Sequence, residues 1–184
     1  TVLEEAHRRI GEIGTSANSA VCRSQWDASA AYFSGLDERI KAKKEGRNHG
    51  AFLRTGWHEV DSIIGGLFAS ELTIVAARPS VGKTVFGGCL ARNLGKRGIP
   101  GFFASLEQRD EAIIGRMLAS LTDVPGGALR EGDLKDYQNE RVANVTSELM
   151  GYPIWWDHRP TQTIQQISAT ARSLKLKHGI QYVI

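Results

Sequence analysis

The sequence predicts an α/β fold with a mainly parallel sheet, preceded by a helical segment. Beyond about residue 50, short β-branched or aromatic runs alternate with stretches of helical periodicity, an order typical of parallel sheets covered by helices. Of the 184 residues, 41% are hydrophobic and 23% are charged, a balance that excludes a disordered chain. Charged residues also interrupt every apolar run before it reaches the roughly 18 residues that a membrane-spanning helix needs.

The cysteines predict a reducing environment. Cys22 and Cys89 lie far apart and fit neither a disulfide framework nor the spacing of zinc ligands. No signal-peptide pattern is present at the start of the chain. We therefore expect a cytoplasmic protein with no membrane partner.

The N-terminal part of the chain has the pattern of a helical linker. Apolar residues recur at helical spacing over 3–13 and again over 26–40. A polar stretch with two glycines at 45–50 then marks a break. We therefore divide the chain into a helical linker segment with a basic stretch, 1–50, and an α/β domain, 51–184.

The positive charge is concentrated in one place. The formal net charge is only +3, yet residues 39–54 carry six basic side chains against the single acid Glu45. The six are Arg39, Lys41, Lys43, Lys44, Arg47 and Arg54. Such a run fits a solvated linker and a patch that contacts the phosphates of nucleic acid about equally well.

The α/β domain begins with a strand predicted at 72–76 and a helix predicted at 83–96. Both have the expected composition, the first rich in β-branched residues and the second amphipathic. The other predicted elements are a strand at 101–104, helices near 108–121 and 134–149, a strand at 153–156, a helix at 163–178 and a strand that opens at Gln181.

A phosphate-binding loop is predicted between the first strand and the first helix, where the chain reads Ala77-Arg78-Pro79-Ser80-Val81-Gly82-Lys83-Thr84. Backbone N–H groups of such a loop bind phosphate oxygens, and Gly82 lets the chain approach them without a Cβ. Lys83 can reach the β and γ phosphates, and the Thr84 hydroxyl is a ligand for Mg²⁺. These residues predict a site for ATP or another nucleoside triphosphate.

The loop departs from the strict pattern because Ala77 stands where the first glycine is usual. The tripeptide Gly82-Lys83-Thr84 alone is a weak signal, since a helix can begin with these residues by chance. The strand before the loop, the helix after it and Pro79 within it favour the phosphate site.

The loop and its surroundings resemble the DnaB-type replicative hexameric DNA helicases, in which the Ala-Arg-Pro-Ser lead-in is typical. The resemblance covers 55–184, while 2–14 looks like the helix that links the two domains of such a helicase and 15–50 matches only loosely. Two positions depart from the family pattern, Gln108 where methionine is common and Ser70 where glycine is usual. Further matches are Thr55-Gly56, Asp61, Gly65-Gly66-Leu67, Ser105-Leu106-Glu107, Arg116-Met117-Leu118-Ala119-Ser120, Pro153-Ile154-Trp155-Trp156-Asp157, Ala171-Arg172-Ser173-Leu174 and His178-Gly179.

The resemblance implies a RecA-like P-loop NTPase core and assigns roles to its residues. It implies that Arg78 to Thr84 and Arg116 bind the nucleotide, and that Lys83 and Glu107 take part in hydrolysis. Glu107 would orient the attacking water or accept its proton. The residues alone leave alternatives open: Glu107 also fits an acid in the first turn of the next helix, with Ser105 and Gln108 as a capping box, and Arg116 also fits a surface ion pair.

For the whole protein, the resemblance implies an ATP-dependent helicase that translocates on single-stranded DNA as a hexameric ring. The ring would form through the N-terminal linker helix, with primase and a helicase loader as further partners. It also places the aspartate that holds Mg²⁺ directly after Ile184, so we expect a fragment, cut at both ends, that is nearly inactive by itself. Two alternatives are another RecA-like ATPase and a truncated, non-catalytic relative that binds nucleotide or a helicase subunit.

Overall fold

A computed structural model describes residues 23–46 and 52–184. The chain divides between residues 50 and 51 into two units, and we describe each unit by itself. None of the helices in the described ranges is long and apolar enough to cross a lipid bilayer.

The described part of the first unit is one long helix, α1 (Gln25–Lys44). It begins at Ser24, whose hydroxyl accepts the Asp27 N–H at 3.1 Å, as expected of a serine N-cap. The helix predicted at 26–40 is therefore confirmed and extends further at its C-terminal end. The helix predicted at 3–13 lies outside the described residues, as does Arg47 of the basic stretch.

The second unit alternates helices and strands. Several predicted elements are confirmed within one or two residues, whereas a small antiparallel ribbon, β1 with β2, and the short helices α2 and α5 were not predicted. The elements in chain order are β1 (Phe52–Leu53), α2 (His58–Ile64), β2 (Leu67–Phe68), α3 (Lys83–Lys96), β3 (Gly101–Ala104), α4 (Asp110–Thr122), α5 (Gly126–Glu131), α6 (Asp136–Met150), β4 (Ile154–Asp157), α7 (Ile164–His178) and β5 (Tyr182–Val183).

A parallel three-stranded sheet forms the centre of this unit. The strand order is β4-β3-β5, with Phe102 opposite both Trp155 and Val183. Phe102 and Phe103 point to opposite faces because successive side chains alternate along a strand. Both are at most 5% exposed, so helices and loops cover both faces of β3.

One face of the sheet packs against α3 and α4. The core there contains Ala91, Phe103, Ile113 and Met117, and the Phe103 ring stacks on Trp156 at 4.7 Å. The two helices approach closely at Gly88, where a Cβ would lie 3.1 Å from Ile113 and 3.2 Å from Met117. A side chain at this position would therefore push against α4, and the close crossing places α4 beside the start of α3.

The strand predicted at 72–76 is wrong. Residues 71–78 have no regular structure, and the side chains of Leu72 and Ile74 are 86% and 78% exposed. A strand needs a neighbour to satisfy its N–H and C=O groups, and no described strand pairs with these residues. In the sheet, β4 and β5 occupy the two sides of β3, so β3 does not lie next to residues 72–76.

Candidate functional site

The turn before α3 contains two residues in the left-handed region of backbone conformation. Gly82 caps the helix at φ 114°, in the left-handed region, and Ser80 lies there too at φ 66°. The Val81 N–H donates to the Arg78 carbonyl at 3.3 Å. The left-handed Gly82 is required because a residue with a Cβ rarely adopts that conformation, so the chain turns sharply from the loop into the helix.

The N-terminus of α3 is open. The first N–H that reaches an acceptor in the helix is that of Phe86, which donates to the Gly82 carbonyl at 2.9 Å. The N–H groups of Lys83, Thr84 and Val85 have no intrahelical acceptor, and Gly82 has no side chain to cap them. They point along the helix axis toward the loop, at the positive end of the helix dipole.

The side chains of the first two helical residues, Lys83 and Thr84, are also available to bind a ligand. Lys83 is exposed and Thr84 is half-buried, and neither makes an ion pair or side-chain hydrogen bond with the described residues. Free N–H groups, a lysine ammonium and a threonine hydroxyl at one helix end fit the β and γ phosphates of a nucleotide and its Mg²⁺. Beside them, Arg78, Pro79, Ser80 and Val81 form the exposed loop itself.

The segment before the loop holds α3 in place. The Asp61 carboxylate accepts the Thr55 N–H at 2.7 Å and the Gly56 N–H at 3.3 Å. In turn, the Asn93 side chain of α3 donates to the Thr55 carbonyl at 3.1 Å. Burial raises the pKa of Asp61, but the hydrogen bonds from Thr55 and Gly56 outweigh it and hold the pKa below its usual value.

Two further contacts join this segment to α3. Arg97, just past the end of the helix, donates to the Arg54 carbonyl at 2.7 Å. At the other end, Trp57 stacks on Phe86 in the first turn of α3, with ring centroids 4.8 Å apart. The first and last turns of the helix that carries Lys83 are therefore both anchored to residues 54–61.

Glu107 lies where β3 leads into α4. It is exposed and makes no hydrogen bond or ion pair with the described residues. The interpretation of Ser105 and Gln108 as a capping box is wrong. Ser105 Oγ does accept the Gln108 N–H at 3.3 Å, but the bond does not cap the helix, because α4 begins only at Asp110. Glu107 therefore precedes the helix, and the acids of its first turn are Asp110 and Glu111.

Arg116 lies on α4, which packs against α3. Arg116 and Thr84 line the same small cavity between these two helices, so the two residues are neighbours. The surface ion pair considered for Arg116 is absent among the described residues. Instead its Nη1 donates to Gln108 Oε1 at 2.6 Å.

Other polar residues at this edge of the sheet pair with one another. Two hydrogen bonds from the Arg159 Nε, at 3.0 and 3.1 Å, hold the Asp157 carboxylate and keep its pKa below the usual value. His158 Nδ1 lies 3.1 Å from Asp110 Oδ1. Within the described ranges, no three His, Cys, Asp or Glu side chains cluster as a metal site would require.

Sequence reasoning missed how Asn93 and Gln108 act. Asn93 lies far along the chain from its partner Thr55, so no local pattern reveals the contact. The sequence offers a capping box as one interpretation of Gln108, whereas in the structure its side chain binds Arg116. The departure of Gln108 from the helicase pattern was the one signal in the sequence that marked this position.

The chain is similar to replicative DNA helicases. A family profile described as the DnaB-like helicase C terminal domain matches residues 52–184. The Replicative DNA helicase DnaB of Nostoc sp. is 36% identical over 141 residues, which are 74% of this chain and 16% of that protein. The protein of the same name from Geobacillus stearothermophilus is 28% identical over 184 residues, all of this chain and 40% of that protein. The chain thus spans less than half the length of these relatives.

Two solved structures share the fold. An ATPase domain superposes with a TM-score of 0.72 at 20% identity, covering 88% of this chain and 56% of its own. A DnaB-like replicative helicase, solved to describe its interactions with primase, superposes with a TM-score of 0.68 at 21% identity, covering 79% of this chain and 37% of its own. Both support an α/β, RecA-like ATPase fold.

Proposed function

The chain belongs to the DnaB-like helicase C-terminal domain family, and we propose that it binds a nucleoside triphosphate with Mg²⁺ at the N-terminus of α3. The open end of this helix carries the proposal. The unpaired N–H groups of Lys83, Thr84 and Val85 converge there with an ammonium group that has no carboxylate partner among the described residues. A polyphosphate would satisfy all of these groups at once.

Each residue of the loop has a role in this proposal. Arg78, Pro79, Ser80 and Val81 shape the loop around the phosphates, and Gly82 allows their close approach. Lys83 contacts the β and γ phosphates, while the Thr84 hydroxyl is the one Mg²⁺ ligand assigned in this chain. A bound Mg²⁺ ion would neutralise charge on the β and γ phosphates.

Hydrolysis would require a group that holds water in line with the γ phosphate, and we assign this role to Glu107. Its position at the carboxyl end of β3 supports the assignment, since ligands bind at that edge of open α/β sheets. Its exposure and its lack of a partner among the described residues leave the carboxylate available to bind water. Arg116 would provide a second positive charge beside the phosphates.

For the full-length protein we propose ATP-dependent replicative DNA helicase activity in the cytoplasm. It would form a hexameric ring through the N-terminal linker helix and couple hydrolysis to translocation on single-stranded DNA, with 51–184 forming part of its ATPase domain. The names of the relatives support the helicase activity. Primase enters the proposal because the DnaB-like helicase of similar fold interacts with primase, and a helicase loader enters it from the family resemblance.

Replacing Lys83 by alanine tests the nucleotide site. In the full-length protein we expect Mg²⁺-dependent, DNA-stimulated phosphate release to fall at least 100-fold, because a group that stabilises transferring phosphate contributes several kcal/mol. Lys177→Ala is the matched control, since this exposed lysine on α7 has no partner among the described residues, and its turnover should be unchanged. Undiminished turnover in Lys83→Ala would overturn the assignment.

A binding measurement extends the test to the 184-residue chain. We expect it to bind a fluorescent ATP analogue in the presence of Mg²⁺ and to lose most of this binding in Lys83→Ala. Equal affinity of the two chains would contradict the proposed site.

A further inference from the structure

The side chain of Gln108 connects the segment that carries Glu107 to Arg116. Gln108 Oε1 accepts a hydrogen bond from Arg116 Nη1 at 2.6 Å, a short distance for a bond from a charged donor. The two residues belong to different segments, the β3–α4 connection and the middle of α4. The bond therefore fixes the orientation of the guanidinium relative to the carboxyl end of β3.

Hydrogen bonds hold the backbone of Gln108 in place. Ser105 is buried, and its hydroxyl donates to the Gln108 carbonyl while it accepts the Gln108 N–H at 3.3 Å. The Ser105 N–H donates in turn to the Asp157 carbonyl of β4 at 2.8 Å. These bonds tie the backbone of Gln108 to two strands of the sheet, so the carboxamide extends from a fixed position on the chain.

The acceptor is neutral, and this determines what it does to Arg116. A carboxylate at position 108 would form an ion pair and offset the positive charge of the guanidinium. A carboxamide orients the group and leaves its charge in place. No described carboxylate lies within ion-pair distance of Arg116, so its remaining N–H donors are available to an anion.

The anion that fits this geometry is the polyphosphate at the start of α3. Arg116 and Thr84 line the same cavity, and α4 is held against α3 by the close approach at Gly88. Arg116 therefore lies beside the first turn of α3, next to the helix end where the phosphates would bind.

We propose that Gln108 is a positioning residue for nucleotide binding, which holds Arg116 toward the terminal phosphates. This inference rests on the nucleotide site proposed above and adds a residue to it. Without the carboxamide, the long arginine side chain regains rotamer freedom and must lose it again on binding. Nucleotide affinity then falls, while the groups that act in hydrolysis are unchanged.

Gln108→Met tests the proposal because methionine has a similar length and lacks the carboxamide. In the full-length protein we expect the KM for ATP to rise about 3- to 10-fold, the cost typical of ordering one long side chain on binding. We expect kcat to change less than about 2-fold. Gln165→Met is the matched control, since this exposed glutamine on α7 makes no hydrogen bond with the described residues, and it should leave both constants unchanged.

A double-mutant cycle separates positioning from a general structural effect. If Gln108 acts through Arg116, Gln108→Met should have no further effect on ATP affinity in an Arg116→Ala background. Additive effects, or a Gln108→Met protein with unchanged KM and analogue affinity, would overturn the inference. Failure of the nucleotide site itself is recognised separately, because Lys83→Ala would then retain turnover and analogue binding.

Discussion

Replacing Gly101 by alanine would place a methyl group against the ring of Tyr182. The two residues are paired across β3 and β5, and a Cβ on Gly101 would overlap the Cζ, Cε1 and Cε2 atoms of that ring. Carbon atoms pack at about 3.5–4.0 Å, so the ring would have to move by more than about 1 Å. The movement would also disturb the hydrogen bond from the Tyr182 hydroxyl to the Ala91 carbonyl of α3, at 3.4 Å.

The magnitude follows from three contributions. Overpacking in a core costs about 1–3 kcal/mol, and the loss of one hydrogen bond costs about 0.5–1.5 kcal/mol. Against these, alanine lowers the entropy of the unfolded chain and stabilises by about 0.4–1 kcal/mol. We therefore expect Gly101→Ala to reduce the free energy of unfolding by about 1–3 kcal/mol and the Tm by about 3–10 °C.

The assay is urea unfolding followed by circular dichroism, with Gly115→Ala as the control. Gly115 lies inside α4, where a Cβ would meet no heavy atom within 4 Å. The same substitution should there increase the free energy of unfolding by about 0.5–1 kcal/mol, because alanine favours the helix. The two variants are therefore predicted to shift stability in opposite directions.

The cause is tested in a Tyr182→Ala background. With the ring removed, Gly101→Ala should be neutral or stabilising, since nothing remains for the methyl group to displace. An equal loss of stability with and without the tyrosine ring would refute the reasoning.

Two further predictions concern residues of the segment before the loop. Asp61→Asn should lower the free energy of unfolding by about 1–3 kcal/mol at neutral pH, whereas Asp133→Asn, at an exposed position, should not. Because the folded chain lowers the pKa of Asp61, the ionised carboxylate stabilises the fold above the ordinary pKa of 3.8, and this stabilisation is lost as the pH falls through the lowered pKa. The difference in free energy of unfolding between the wild type and Asp61→Asn should therefore shrink on acidification, and a difference that grew would contradict the reasoning. Ser70→Gly should increase the free energy of unfolding by about 0.5–1 kcal/mol, since Ser70 lies at φ 67°, while Ser147→Gly, inside α6, should lower it. Stabilisation by both serine substitutions, measured by urea unfolding, would show that backbone strain is not the cause.

Local patterns predicted the elements whose ends are set by neighbouring residues. The helix predicted at 83–96 matches α3, because Gly82 sets its start and the amphipathic pattern continues to Lys96. Thr163 accepts the Gln166 N–H at 3.3 Å and caps α7, so the helix begins within one residue of its predicted start. Ser70 is a similar case, since a position where the helicase pattern has glycine adopts a left-handed conformation.

Interactions between distant residues could not be predicted. Residues 72–76 have the composition of a strand, but a strand also needs a partner, and composition does not provide one. The bond from Asn93 to the Thr55 carbonyl and that from Arg97 to the Arg54 carbonyl depend on how α3 lies against the segment before it. The residues that we propose to bind phosphate form one continuous stretch, which is why a sequence pattern identifies them as candidates without knowledge of the fold.

The central position of β3 has a consequence for synthesis of the chain on the ribosome. Both strands that flank β3 follow it in sequence, so the nascent chain presents this strand with two unpaired edges. The helix that packs against Phe103, α3, precedes the strand and can cover this residue early. Unpaired edges and exposed aromatic residues promote association between nascent chains. We therefore expect the yield of folded protein in cells to depend on chaperones that bind the chain before β4 has emerged.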